Sequence, residues 1–293
     1  MAGIRNPTFA KAYNRRGDAH FEAARYGEAL ASYLRAIEFD PESIEFYLNA
    51  AKTYRALDQI DQAIVSYTKA IDLAPDDIAH RMSRAELYGQ LGRYEEELAD
   101  YSRVIELDPG CAAAYGKRGV TSMLLGRYED TVRDYTRLID LKPHFDWAYM
   151  VRADASLKSG GCGEAIRDYN HFIERHPHLP EPYRNRGKAY RTIGRYDMAL
   201  RDLSRALDID PRQADTYNAR GELYEEMGDY EKALGDYSKA IGADPTLAAA
   251  YVNRSRLYEV AGKTRRARRD LGYAARLGDA HARALLNDRG ENW

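Results

Sequence analysis

A chain of 293 residues has room for two ordinary domains or one elongated array. Its formal net charge of −2, with 31% charged residues, is not the basic excess of a general nucleic-acid binder. No stretch approaches the ~18 consecutive apolar residues of a membrane span, and the opening MAGIRNPTFA carries one arginine and no apolar run, unlike a signal peptide. Two cysteines, Cys111 and Cys162, make no disulfide framework and fit a reducing compartment, so the expected location is cytoplasmic.

Pro41, Pro75, Pro109, Pro143, Pro177, Pro211 and Pro245 follow one another at intervals of 34 residues. A fixed period in this range marks a stack of like supersecondary units. Counting back from the prolines gives repeats at 10–43, 44–77, 78–111, 112–145, 146–179, 180–213, 214–247 and 248–281. Residues 1–9 are then an N-terminal extension and 282–293 a C-terminal cap or tail. All but one of the 24 tyrosines fall at positions 4, 11, 17 and 24 of this frame. Position 8 is always small, from Gly17 and Ala51 to Gly221 and Ser255. Position 20 is alanine except for Glu97 and Thr131. Positions 4, 8 and 11 share one face of a first helix, and 20, 24, 27 and 28 one face of a second. Between them position 15 holds Gly92, Gly126, Gly160, Gly194, Gly228 and Gly262, where a left-handed turn is cheap for glycine.

In chain order, the departures are few. Repeats one and two put Ala24 and Asp58 in place of the position-15 glycine. Repeat five has a glycine-rich turn, SGGCG at 159–163, which is neither a Walker loop nor a dinucleotide turn. Pro177, Pro180 and Pro182 crowd the joint with repeat six. Repeat eight has Asp279 instead of proline, so the chain is expected to continue helically through residues 281–286 as a cap for the last apolar face.

Fragments such as GRYEEELADYSRVIELDP and GDYEKALGDYSKAIGADP, in register with six further copies, resemble the tetratricopeptide repeat family over residues 10–281. The resemblance implies an all-α fold, a right-handed α–α superhelix of helix–turn–helix repeats. It also implies that the first helices line a concave groove through positions 2, 5, 9, 12 and 13. There repeats three to five present Met82, Gly116, Val120, Met123, Leu124, Trp147, Met150 and Leu157. An apolar concentration on a polar solenoid marks an interaction site. Repeat six adds Arg184, Lys188 and Arg191, and repeat seven Glu222 and Glu225 among other acids. Arg184 and Arg191 suit a ligand carboxylate. The lysine and asparagine set with which some relatives grip chaperone tails is missing: position 5 is never lysine and position 9 never asparagine.

Other residues have plainer readings. Arginine at position 7 in seven repeats and aspartate at position 23 in repeats three to eight fit a structural pair better than a charge ladder for ligand. Whether each pair lies within one repeat or between two is left open. The tyrosines occupy packing positions, which argues against base stacking. His171, His176 and His178 near Cys162 straddle a helix end and lack the paired spacing of a zinc site. The run Arg265-Arg266-Ala267-Arg268-Arg269 is read as a solvated outer face rather than a nucleic-acid site. No catalytic constellation, metal site or cofactor motif emerges. The expected function is therefore a non-enzymatic scaffold with a protein or peptide ligand in its groove. The alternative is a self-associating module that pairs the apolar groove with a second copy. Neither membrane nor nucleic acid is an expected partner.

Overall fold

The computed structural model describes residues 6–288 and 290, and every described element is helical. The chain divides into two compact units, residues 1–144 and 145–293. The first holds four helical hairpins: α1 (Pro7–Glu22) with α2 (Tyr26–Phe39), α3 (Ile44–Ala56) with α4 (Ile60–Leu73), α5 (Ile78–Gln90) with α6 (Tyr94–Leu107), and α7 (Ala112–Leu124) with α8 (Tyr128–Leu141). The second holds α9 (Asp146–Lys158) with α10 (Cys162–Arg175), α11 (Pro180–Thr192) with α12 (Tyr196–Ile209), α13 (Ala214–Glu226) with α14 (Tyr230–Ala243), and α15 (Ala248–Val260) with α16 (Thr264–Arg276). The helix α17 (Ala280–Asp288) follows. From α3 onward each first helix begins on the first residue of its 34-residue frame, and every second helix begins at position 17. α1 starts at Pro7, inside the stretch read as an extension, where the Asn6 side chain accepts from the Phe9 amide at 3.2 Å.

Each hairpin turns the same way. Position 15 is left-handed throughout, with φ from +67° to +89° at the six glycines. The amide after it reaches back to the carbonyl five residues earlier, as in Arg93 to Tyr88 at 2.9 Å and Arg195 to Tyr190 at 2.9 Å. This closes the first helix with a glycine-type C-cap. Ala24 (φ +55°) and Asp58 (φ +58°) adopt the same turn without glycine. A left-handed alanine costs roughly 1–2 kcal/mol, partly offset by the greater unfolded-state freedom of glycine. Ala24→Gly is therefore expected to stabilise the first hairpin by about 0.5–1 kcal/mol, and Gly194→Ala to destabilise by about 1 kcal/mol. Urea denaturation of the two variants checks this; a loss of stability in Ala24→Gly would contradict it.

Within a hairpin, the small residue at position 8 seats the ring at position 24. A Cβ added to Gly221 would lie 2.6 Å from the Tyr237 ring, and one added to Gly119 would lie 2.7 Å from that of Tyr135. Tyr101, Tyr169 and Tyr237 are wholly buried. Neighbouring hairpins share these cores: Leu87 of α5 packs with Ala51, Ala63 and Tyr67, and Leu223 of α13 with Tyr190, Ala199 and Leu203.

The arginine and aspartate of positions 7 and 23 meet inside one repeat. Arg84 Nε and Nη2 donate to Asp100 at 2.8 and 2.7 Å, and the same two-pronged contact joins Arg118 to Asp134, Arg152 to Asp168, Arg186 to Asp202, Arg220 to Asp236 and Arg254 to Asp270. The third guanidinium nitrogen reaches back to the preceding hairpin. Arg84 donates to Thr68, Arg118 to Ser102, Arg186 to Asn170, Arg220 to Ser204 and Arg254 to Ser238. A planar guanidinium with five donors can serve both partners at once, which a lysine could not.

The second unit ends as the missing proline suggests. Gly278 (φ +100°) stops α16, and Asp279 caps α17 by accepting from the Ala282 amide at 2.7 Å. Ala282 and Leu286 are buried against Leu271, Ala275 and Tyr251, while His281 faces water. Among the described residues no helix is long and apolar enough to cross a membrane.

Candidate functional site

Stacked first helices within a unit meet through residues 31 or 35 apart, one repeat minus three or plus one. Asn14 donates to Glu45 at 2.9 Å, and Asn49 donates to Asn14 at 3.0 Å. In the second unit Asn185 donates to Asp154 at 2.9 Å, Asn253 donates to Asn218 at 3.1 Å and Glu222 at 3.2 Å, and Arg256 donates to Glu225 at 2.8 Å. Phenols rise into this ladder from the second helices: Tyr33 donates to Asp18 at 2.9 Å, Tyr169 to Asp154 at 2.6 Å and Tyr237 to Glu225 at 2.8 Å. Burial first, and the adjoining carboxylates next, hold these phenols far above their ordinary pKa, so they remain donors.

In the first unit a cleft of about 640 Å³ opens between α5 and α7 with α6 as its floor. Glu86, Gly89 and Gln90 form one wall, Lys117, Val120, Thr121 and Leu124 the other, and Tyr94, Glu97 and Tyr101 the base. Two residues expected at the groove line it with apolar surface: Val120 is 48% exposed and Leu124 67%. Met82 and Met123 are half-buried and are not among its lining residues, and the open flank of Gly116 faces Leu138.

Glu97 is buried, with 8% of its surface exposed, and burial pushes its carboxyl above the usual range. The Thr121 and Tyr101 hydroxyls and the Lys117 charge pull the other way, and Glu86 adds to the rise. The native state thus holds this proton more tightly than the unfolded chain. Stability from this group is full below the unfolded pKa and falls as pH rises through the folded one. Glu97→Gln removes that loss. The variant should match the wild type near pH 4 and become the more stable of the two as pH rises towards 7, in urea midpoints taken across that range. A stability difference that does not change with pH would count against it.

In the second unit a cleft of about 550 Å³ lies along α11, α13 and α15 above α14. Arg191 is already engaged there: it donates to Glu222 and, at 3.0 Å, to Glu226. Glu225 accepts from Tyr237 and Arg256. Arg191 of repeat six and Glu222 and Glu226 of repeat seven therefore compensate one another, so Arg191 is engaged within the chain. Arg184 is half-buried with its Nε 3.4 Å from Asn185 Oδ1. Lys188 keeps contact with water, yet the crowded wall and then the Arg184 charge lower its pKa.

Trp147 is 52% exposed at the start of α9, edge-on to Phe172 at 5.0 Å between centroids. Met150 departs from the groove reading. It is buried in the cluster of Ala153, Tyr169, Phe172 and Tyr183, with Leu157 packed against the same core. A long unbranched side chain at position 5 can fold down between hairpins, and this one does. Neighbouring histidines serve Asp146: His176 Nε2 lies 3.2 Å from it, and His171 stacks on Tyr149 at 3.8 Å. Among the described residues no group of three or more His, Cys, Asp or Glu is arranged around a metal. Arg265, Arg268 and Arg269 are exposed and, with Arg276, border a shallow groove of about 340 Å³.

Sequence reasoning missed Tyr101, Asn253 and Arg256 as cleft residues. Polar partners at spacings of 31 and 35 were the signal for the last two.

Comparison with known proteins supports the repeat frame. A family model described as TPR repeat matches residues 17–58 and 187–228. Two models described as tetratricopeptide repeat match 214–247, and 44–77 with 81–111. A search of curated proteins returned no match. Solved structures share the fold. The C-terminal part of a TPR repeat-containing protein from Cytophaga hutchinsonii aligns with a TM-score of 0.60 at 17% identity, over 82% of this chain and 98% of that one. A tetratricopeptide repeat protein from Parabacteroides merdae gives 0.52 at 21% identity, over 86% and 99%. YrrB, described as a TPR protein with an unusual peptide-binding site, gives 0.54 at 23% identity, over 63% and 95%. Matched segments in both units, together spanning just over half the residues and lying on hairpins that keep the 34-residue frame, place this chain in the tetratricopeptide repeat family.

Proposed function

We propose that the chain is a non-catalytic binding scaffold that holds a peptide segment or protein surface against the face formed by its first helices. The observation that carries this reading is the cleft between α5 and α7. There Val120 and Leu124 stand open to water on one wall, directly above buried polar groups of α6. Trp147 extends the set of exposed apolar side chains suited to contact in the second unit. The peptide-binding site ascribed to YrrB is consistent with such a use of the fold. Of the groove residues read from sequence, Val120, Leu124, Met123, Met82 and Trp147 remain in the proposal. Met150 and Leu157 are assigned to packing, and Arg191, Glu222 and Glu225 to cross-helix pairing.

The test is selection from a displayed peptide library on the full chain, with Val120→Glu/Leu124→Glu as the counter-target. Selected peptides are expected to bind the wild type and to lose about tenfold or more in affinity for the variant, since two charges then face an apolar contact. Light scattering on both proteins runs alongside. A wild type near 33.3 kDa that is unchanged by the substitutions supports the reading. A dimer that the substitutions dissolve would replace it with self-association through this face.

A further inference from the structure

Repeat three departs from its siblings at two places that face each other. Position 20 is a fully buried alanine in six repeats, Ala29, Ala63, Ala165, Ala199, Ala233 and Ala267, but Glu97 here. Position 12 is a side chain of some length elsewhere, among them Met123, Leu157 and Arg191, but Gly89 here. A Cβ added to Gly89 would lie 2.8 Å from Glu97 Oε1. The missing side chain on α5 therefore makes the room that the carboxylate from α6 occupies, at the base of the cleft.

That carboxylate has hydroxyl neighbours but no cation of the chain paired to it. No ion pair among the described residues reaches Glu97, and the nearest opposite charges are spent: Lys117 pairs with Glu86 at 3.2 Å. Beside it the Tyr101 hydroxyl is fully buried and makes no well-formed hydrogen bond; the Glu97 carboxylate is the one group of the chain near enough to draw on it. At the same repeat position Tyr33, Tyr169 and Tyr237 each donate to a carboxylate of the chain. Buried polar groups of folded proteins are almost always well paired, so a hydroxyl and a carboxylate left short of partners at the base of a cleft point to a missing one.

We propose that the cleft between α5 and α7 receives a basic side chain of the bound partner, arginine above all, with Glu97 and the Tyr101 hydroxyl taking its charged head and Val120 and Leu124 covering its stem. This deepens the scaffold reading and rests on it. A guanidinium has five donors and no acceptor. Two can meet the Glu97 carboxylate side by side, a third the Tyr101 oxygen, whose own proton turns to the carboxylate. The apolar wall suits the methylene stem, which long basic side chains bury while the head stays polar. An acidic ligand would meet Glu97 and Glu86 together, and a neutral one would leave the buried charge uncompensated.

The probe is N-acetyl-arginine amide, with the uncharged N-acetyl-citrulline amide as control, added to the full chain carrying 13C-labelled glutamate carboxyls. Glu97→Gln assigns the resonance. Besides Glu97, the ionisable groups facing the cleft are Glu86 from α5, Tyr94 and Tyr101 from α6, and Lys117 from α7. The arginine probe is expected to shift the Glu97 carboxyl saturably and to move its titration to lower pH. Citrulline should need about tenfold more, as loss of a charge-assisted pair implies. Tyr101→Phe should weaken the arginine effect severalfold with an unchanged circular dichroism spectrum. A Glu97 signal unmoved at about 50 mM arginine probe, well above the millimolar Kd expected of so small a contact, overturns the proposal, as does equal response to citrulline. If selected peptides depend on Val120 and Leu124 while the probe leaves Glu97 untouched, the basic-side-chain site fails and the scaffold reading stands. If the probe binds the wild type but not Glu97→Gln while no peptide depends on that face, the cation site stands and the scaffold reading fails.

Discussion

Arg254→Met is expected to destabilise the last hairpin by about 3–5 kcal/mol, because it strands a carboxylate that has no access to water. Asp270 is wholly buried and accepts from Arg254 Nε at 2.7 Å and Nη2 at 3.0 Å. The arginine also lies over the Tyr251 and Tyr258 rings, at 5.9 and 5.8 Å, so its removal loosens two packed aromatics as well. Hydrogen exchange of the α15 and α16 amides reads the loss where it falls, which a single global midpoint does not do for a stacked array. The double variant Arg254→Met/Asp270→Leu removes the stranded charge. It should recover most of the stability, to within about 1–2 kcal/mol of the wild type. If the single and double variants are equally unstable, the pair is not the cause.

Phe172→Ala should destabilise the second unit by about 3–5 kcal/mol. Phe172 is fully buried among Met150, Tyr169, Ile173 and Tyr183, and its ring lies 5.0 Å from Trp147 and 4.5 Å from His176. Truncation opens a void beneath Trp147, whose indole is then no longer held at its edge. A second readout follows: in a chain whose other tryptophan, Trp293, is replaced by phenylalanine, Trp147 emission should change in the folded protein. Phe172→Leu keeps most of the volume and should cost about 1 kcal/mol. A Phe172→Ala protein as stable as the leucine variant would mean that this cluster repacks freely.

The hairpins were legible because three independent signals coincide on one frame: prolines that forbid a continuing helix, glycines that permit the left-handed turn, and tyrosines at packing positions. Ala24 and Asp58 are legible as departures but not as left-handed residues, since nothing local to them demands that conformation; the turn shared by every hairpin imposes it on them. Roles in the clefts were less legible. Repeat position says which way a Cα–Cβ bond points, not how a long side chain folds from it. Met150 and Val120 therefore look alike from sequence, though one is core and the other surface. Arg191 looks available from sequence because its partners Glu222 and Glu226 sit 31 and 35 residues away, outside any local pattern. Glu97 stands out in sequence as a broken alanine column, and its meaning emerges only beside Gly89 and the poorly bonded Tyr101 hydroxyl.

The guanidinium that grips its own aspartate and also the hairpin before it acts as a clasp, and within the first unit the clasps begin late. Arg84 reaches back to α4 and Arg118 to α6, but Ala50 stands where an arginine would reach back to α2, and Arg16 turns to His20 instead. Ser32 and Ser66 replace the aspartates of the first two repeats. The hairpin of α1 and α2 is held to α3 by packing and the Asn14 and Asn49 contacts, without a clasp. Under a pulling force applied at the N-terminus it would peel away first, and the array would stiffen when the load arrived at Arg84.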